Sequence, residues 1–159
     1  LIGELDASAA TDVGQTIDWT LLKALALAGQ GDAESALDIL ARDANRPQSV
    51  WAAAIVASRV GDLLLQEGRY LEALSSYDRI DWTSLERSIG GAANRREVVA
   101  VLRRKRGIAY AMIKDLEAAE REFEAALALA TASRQRVFSN LGFVQMLRGK
   151  YPEATRSLE

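Results

Sequence analysis

Cysteine and histidine are both missing from the 159 residues. The first absence excludes disulfides, a thiolate nucleophile and Cys-ligated zinc or iron–sulfur clusters. The second removes the usual general base near neutral pH and the commonest metal ligand. Proline occurs only at Pro47 and Pro152, and β-branched residues are sparse and scattered, which leaves little material for strands. Long apolar runs are lacking: the stretch 21–28 contains Lys23 and is far too short to span a bilayer. No basic segment followed by an apolar one marks a signal peptide. Neither sign of charge dominates, since 22 acids oppose 20 bases for a formal charge of −2. Such a balance disfavours broad capture of nucleic acid or anionic membrane. Cytoplasm and periplasm both suit a chain without cysteine.

What is present favours helix. Ala, Leu, Glu and Arg dominate, all strong helix formers. A hydrophobic fraction of 49% fits a globular chain. Arginine outnumbers lysine 16 to 4 and alanine is frequent, a bias that a GC-rich bacterial genome produces. The chain starts at Leu1 and stops inside a helix-like pattern, so we expect a piece of a longer protein.

The pattern predicts eight helices, over 17–29, 32–43, 48–67, 70–80, 95–113, 115–131, 133–148 and 151–159. Residues 1–16 read as the tail of an earlier helix followed by a loop. Gly31, Gly68 and Gly149 separate successive helices, and both prolines fall at helix starts, where a missing N–H costs little. Asn94 with Glu97 three residues on reads as a reciprocal N-cap. Connections this short make neighbouring helices antiparallel.

The helices repeat in register. Ala24, Gly61, Gly107 and Gly142 anchor four units. Seven residues later stand Gly31, Gly68, Lys114 and Gly149, and twelve later Ala36, Ala73, Ala119 and Ala154. Sixteen later come Leu40, Tyr77, Phe123 and Leu158. Small residues at the anchor and alanine positions allow close helix approach, and the large residue is expected to fill the space between one pair and the next. One hairpin cannot cover both its apolar faces, so units of this kind stack.

The segment Val60-Gly61-Asp62-Leu63-Leu64-Leu65-Gln66-Glu67-Gly68-Arg69-Tyr70-Leu71-Glu72-Ala73-Leu74 closely resembles the tetratricopeptide repeat (TPR) signature. Leu141-Gly142, Gly149, Tyr151 and Glu153-Ala154 match it again, as do Gly107, Tyr110, Leu116, Ala119, Phe123 and Ala126. The resemblance implies an all-α fold, a right-handed α-solenoid of about four TPR-like antiparallel hairpins. It frames 1–159 as one repeat domain with units at about 17–46, 48–82, 95–132 and 133–159, an inserted connection at 83–94 and an N-terminal extension at 1–16. Two departures stand out. Arg103 and Arg106 occupy positions that are usually apolar, and residues 81–93 lengthen one connection. We expect a mobile connector that loosens packing and leaves both arginines partly wetted, with Trp82 and Ile89 pinning its ends.

Candidate chemistry is thin. Glu117, Glu120, Glu122 and Glu124 read as a solvated helix face, because Phe123 and Ala126 claim the packed side. Residues 94–106 carry six bases and one acid, which suits ion pairing with neighbours or contact with an anionic peptide. Gly90-Gly91 lacks the strand and Gly-Lys-Ser/Thr of a phosphate loop. Trp19, Trp51 and Trp82 read as packing between units. No enzyme activity, metal or cofactor is expected.

The resemblance further implies a concave groove lined by the first helix of each unit. Its partner-binding positions here are Arg59, Asp62, Arg104, Lys105, Ile108, Met112, Arg136, Asn140 and Phe143. The first unit adds a greasy face, including Leu21, Leu22 and Leu25, that residues 1–16 or upstream repeats would cover. The family's carboxylate clamp is not reproduced, because Leu21 and Leu25, or Ser58 and Asp62, fill its first pair of positions. The reading is a non-catalytic scaffold that binds a protein or peptide of acidic character. The alternatives are a spacer that self-associates through repeat ends, or a sensor repeat of a transcription factor or NTPase.

Overall fold

The computed structural model describes residues 19–42 and 50–158. Readings placed on residues 1–16 and Pro47, and on the side chains of Trp19, Leu21, Leu25 and Leu40, fall outside what it describes. The described residues form nine α-helices and no strand: α1 Trp19–Gly29, α2 Ala33–Arg42, α3 Val50–Gln66, α4 Tyr70–Asp78, α5 Trp82–Arg87, α6 Ala93–Met112, α7 Leu116–Leu129, α8 Arg134–Leu147 and α9 Tyr151–Leu158. Four hairpins result, α1–α2, α3–α4, α6–α7 and α8–α9, each pair packed together.

Every turn within a hairpin is built alike. Gly31, Gly68 and Gly149 take φ of 85°, 76° and 74°, and Lys114 takes 69°. The next residue returns its N–H to a carbonyl five back: Asp32 to Leu27, Arg69 to Leu64, Asp115 to Tyr110 and Lys150 to Gln145, at 2.8–3.0 Å. This left-handed cap satisfies carbonyls that the helix end leaves open. Asp32 and Asp115 then start the following helices by accepting from Ser35 N at 3.1 Å and Ala118 N at 3.0 Å.

The anchors act differently from the sequence expectation. The large residue sits on the anchor glycine of its own hairpin. A Cβ on Gly61 would lie 2.6 Å from the Tyr77 ring, one on Gly107 2.7 Å from Phe123, and one on Gly142 2.6 Å from Leu158. Tyr77 shares a core with Val99 and Leu102 of α6, and Phe123 with Val137 and Leu141 of α8. The four repeat alanines, Ala36, Ala73, Ala119 and Ala154, are all buried.

The expected mobile connector is instead the short helix α5. Asp81 caps it through Ser84 N at 3.0 Å, and Leu85 and Ile89 are buried in the core. Trp82 Nε1 donates to Tyr77 O at 3.2 Å. Both unusual arginines close on this insert. Arg103 donates to Glu86 at 2.8 Å and Glu122 at 3.0 Å, and Arg106 to Glu122 at 3.0 Å and Asp78 at 2.6 Å. Their guanidinium carbons lie 4.9 and 5.4 Å from the Trp82 ring centre. Acids and indole together replace the apolar contacts these positions usually make. The insert therefore tightens the joint between the second and third hairpins.

The predicted cap at Asn94 is also displaced. Helix α6 begins at Ala93, and Asn94 Oδ1 accepts from Arg95 N at 2.9 Å. Glu97 reaches the loop before α8, where it accepts from the N–H groups of Thr131, Ala132 and Ser133 at 2.7–3.0 Å. Burial opposes its charge, yet bonds from Ser133 and Thr131 prevail and hold its carboxyl at about 2.

Candidate functional site

The first helices α1, α3, α6 and α8 contact one another in sequence; the resemblance places the candidate groove along them. Nine side chains were expected to act on it. Lys105 and Asp62 meet each other: Lys105 Nζ donates to Asp62 Oδ2 at 2.6 Å and to Ser58 Oγ at 3.2 Å. Tyr77, seated on Gly61, donates its hydroxyl to Asp62 Oδ1 at 3.1 Å. Burial and the Asp62 carboxylate push the Tyr77 phenol far above its ordinary range, so it remains a donor.

Arg104 is half-buried. Desolvation and the nearby Arg136 guanidinium lower its pKa, against weaker support from Asp62 and Tyr77. Its Nε is buried with no acceptor among the described residues, and Asn140 Nδ2 is in the same state. Such donors cost roughly 1–3 kcal/mol each when left unpaired. Arg59 and Arg136 are exposed. Ile108 packs against the core of the third and fourth hairpins. Met112 and Phe143 are 45% and 53% exposed, beside Met146 at 43% and Leu147 at 46%. Cations, unpaired donors and apolar surface thus gather on α6 and α8, with exposed Arg59 on α3, whereas Lys105 is neutralised internally by Asp62.

The acidic helix α7 differs from expectation. Glu117 and Glu124 are exposed, but Glu122 takes Arg103 and Arg106, and Glu120 is only 5% exposed. Glu120 binds Arg148, and Lys150 at 2.9 Å. Burial raises its pKa, but Lys150 and Arg148 outweigh that and hold it low. Glu122 ties α7 to α6 within the third hairpin and Glu120 ties it to the fourth, while Phe123 is buried. Of the basic stretch in α6, Arg95 stacks on Trp51 at 5.7 Å and donates to Ser88 O at 3.1 Å. Sequence reasoning overlooked the Tyr77 hydroxyl. The signal was a tyrosine at the position where Phe123 and Leu158 carry no polar atom. Among the described residues no group of three or more acids could hold a metal, and no helix is long and apolar enough to cross a membrane.

No family model matches the sequence, and no curated protein does. Solved structures do resemble the fold. MamA from Desulfovibrio magneticus RS-1 is 21% identical with a TM-score of 0.58, over 87% of this chain and 69% of that one. Another MamA crystal structure is 14% identical with a TM-score of 0.63, over 96% of this chain and 80% of that one. The apo form of RapI is 17% identical with a TM-score of 0.62, over 89% of this chain but 42% of that one. These are TPR-like helical repeat structures, and the all-helical stack described above has that type of fold.

Proposed function

We propose that this chain is a non-catalytic interaction scaffold that holds a segment of a partner protein along the face of α3, α6 and α8. The segment carries an acidic group for Arg104, Arg136 and Asn140 and apolar side chains for Met112, Phe143 and Met146. One observation carries the reading. On α6 and α8, Arg136 opposes the charge of Arg104, Arg104 Nε and Asn140 Nδ2 are buried without an acceptor among the described residues, and Met112, Phe143 and Met146 are exposed. A carboxylate relieves the repulsion and pairs the donors, and the apolar strip supplies area around it.

Panning a random-peptide library over the immobilised chain tests this. Enriched peptides should combine an acid with aromatic or aliphatic residues. Arg136→Glu, at an exposed site, should weaken them at least about tenfold. Asn140→Ala and Phe143→Ala should each weaken them less. Peptides without acids, or unchanged binding by Arg136→Glu, would sink the proposal.

A second reading, self-association through the end of the stack, rests on Leu158. Tyr77 and Phe123 are 0% and 1% exposed because a further hairpin covers them, whereas Leu158 on Gly142 is 54% exposed. Light scattering should then show concentration-dependent oligomers that Leu158→Asp abolishes; a monomer at every concentration rejects it.

A further inference from the structure

Asp62 is the one acid among the groove positions of α3, α6 and α8. Its two oxygens are taken by different elements, Lys105 of α6 at 2.6 Å and Tyr77 of α4 at 3.1 Å. The Tyr77 ring is 0% exposed and wedged on Gly61, so its hydroxyl cannot follow a moving carboxylate. Asp62 and Lys105 are each 22% exposed, within reach of a bound segment. Asp62 therefore does for Lys105 what a ligand carboxylate would do, and does it permanently.

We infer that Asp62 determines specificity: a resident carboxylate that neutralises Lys105, leaves anion recognition to Arg104, Arg136, Asn140 and the exposed Arg59, and repels a second acid placed over it. This rests on the proposed reading of an acidic segment on this face. The register follows from geometry. Packed helices lie about 8–10 Å apart, and a bound segment in the polyproline II conformation advances about 3.1 Å per residue and returns to the same side every three residues. An acid about three residues from the first therefore falls opposite Asp62 and is rejected. The groove selects an isolated acid among apolar residues over an acidic run.

The experiment takes one capped single-acid peptide enriched on the wild type and its analogue with a second glutamate three residues away. Affinities are measured by fluorescence anisotropy for wild type, D62N and D62N/K105M. The wild type should prefer the single-acid peptide. D62N, isosteric and still an acceptor for Tyr77, should reverse the preference by about three- to tenfold, as a freed cation gains an anion. D62N/K105M should lose that gain. Acetic anhydride labelling read by mass spectrometry gives a measure independent of any peptide. Lys105 should react more slowly than exposed Lys23 and Lys114 in the wild type, and faster in D62N. If D62N melts early, D62E serves instead and should keep the wild-type preference. Equal Lys105 labelling in wild type and D62N, or an unchanged preference in D62N, overturns this inference alone. A wild type that selects no acidic peptide overturns the groove reading and this inference with it.

Discussion

A single methyl group separates the anchors that the stack depends on from the one it can relax. On Gly107 an added Cβ meets the Phe123 ring, which is 1% exposed and has nowhere to go. Overpacking of this kind costs about 1–3 kcal/mol, partly offset by the helix preference of alanine over glycine, about 1 kcal/mol. Gly107→Ala should lower stability by up to about 2 kcal/mol net in urea titration. Gly142→Ala meets Leu158, which is 54% exposed and can swing aside, so it should stay within about 1 kcal/mol of wild type. Lys114 offers the reverse case. It holds φ of 69° where the other three hairpins use glycine. Because left-handed backbone costs a side-chain-bearing residue about 1–2 kcal/mol, Lys114→Gly should raise the melting temperature despite glycine's greater unfolded entropy.

At the level of elements, two devices join hairpins that the bare repeat would leave to apolar contact. Helix α5 brings Trp82 and Glu86 to Arg103 and Arg106. Trp82→Ala removes the ring and its bond to Tyr77 O and should cost about 2–4 kcal/mol, measured by chemical unfolding. Glu97 straps α6 to the loop before α8. Its carboxyl is lowered from 4.5 to about 2 in the folded chain. A depressed acid stabilises above its unfolded pKa, and the contribution fades as pH falls toward the folded value. Glu97→Gln should therefore cost roughly 2–3 kcal/mol at pH 7 and much less near pH 2. Comparing urea midpoints of the two proteins across that range isolates Glu97 from the other acids.

Across the whole molecule a charge of −2 conceals a strong segregation. Two of the four acids of α7, Glu122 and Glu120, are taken by arginines of α6 and by Arg148 and Lys150, in the seams between elements. What remains on the face of α6 and α8 is cationic and partly apolar. Binding of an acidic segment there should weaken as salt rises from low to physiological ionic strength, since the Debye length falls to about 8 Å. The apolar share should persist at high salt, so a titration of peptide affinity against sodium chloride should level off above zero affinity.

The repeat itself was legible in the order of residues. Small anchors, buried alanines and left-handed turns recur at fixed offsets, because each hairpin solves the same local packing problem within a few dozen residues. The acidic helix and the long connection were misread for one physical reason. A helix face or a loop looks solvated in sequence when its partners lie in another hairpin, as Glu120 does with Lys150 and Glu86 with Arg103. The candidate groove was legible as a row of positions but not as a balance of charge. That Lys105 is spent on Asp62 while Arg104 is left beside Arg136 depends on how α3, α6 and α8 come together. Local periodicity determined the helices and their repeat, and the resemblance built on it named the residues expected to line a groove; only the tertiary stack decided which of their charges remain unpaired, because pairing is set by distance in space.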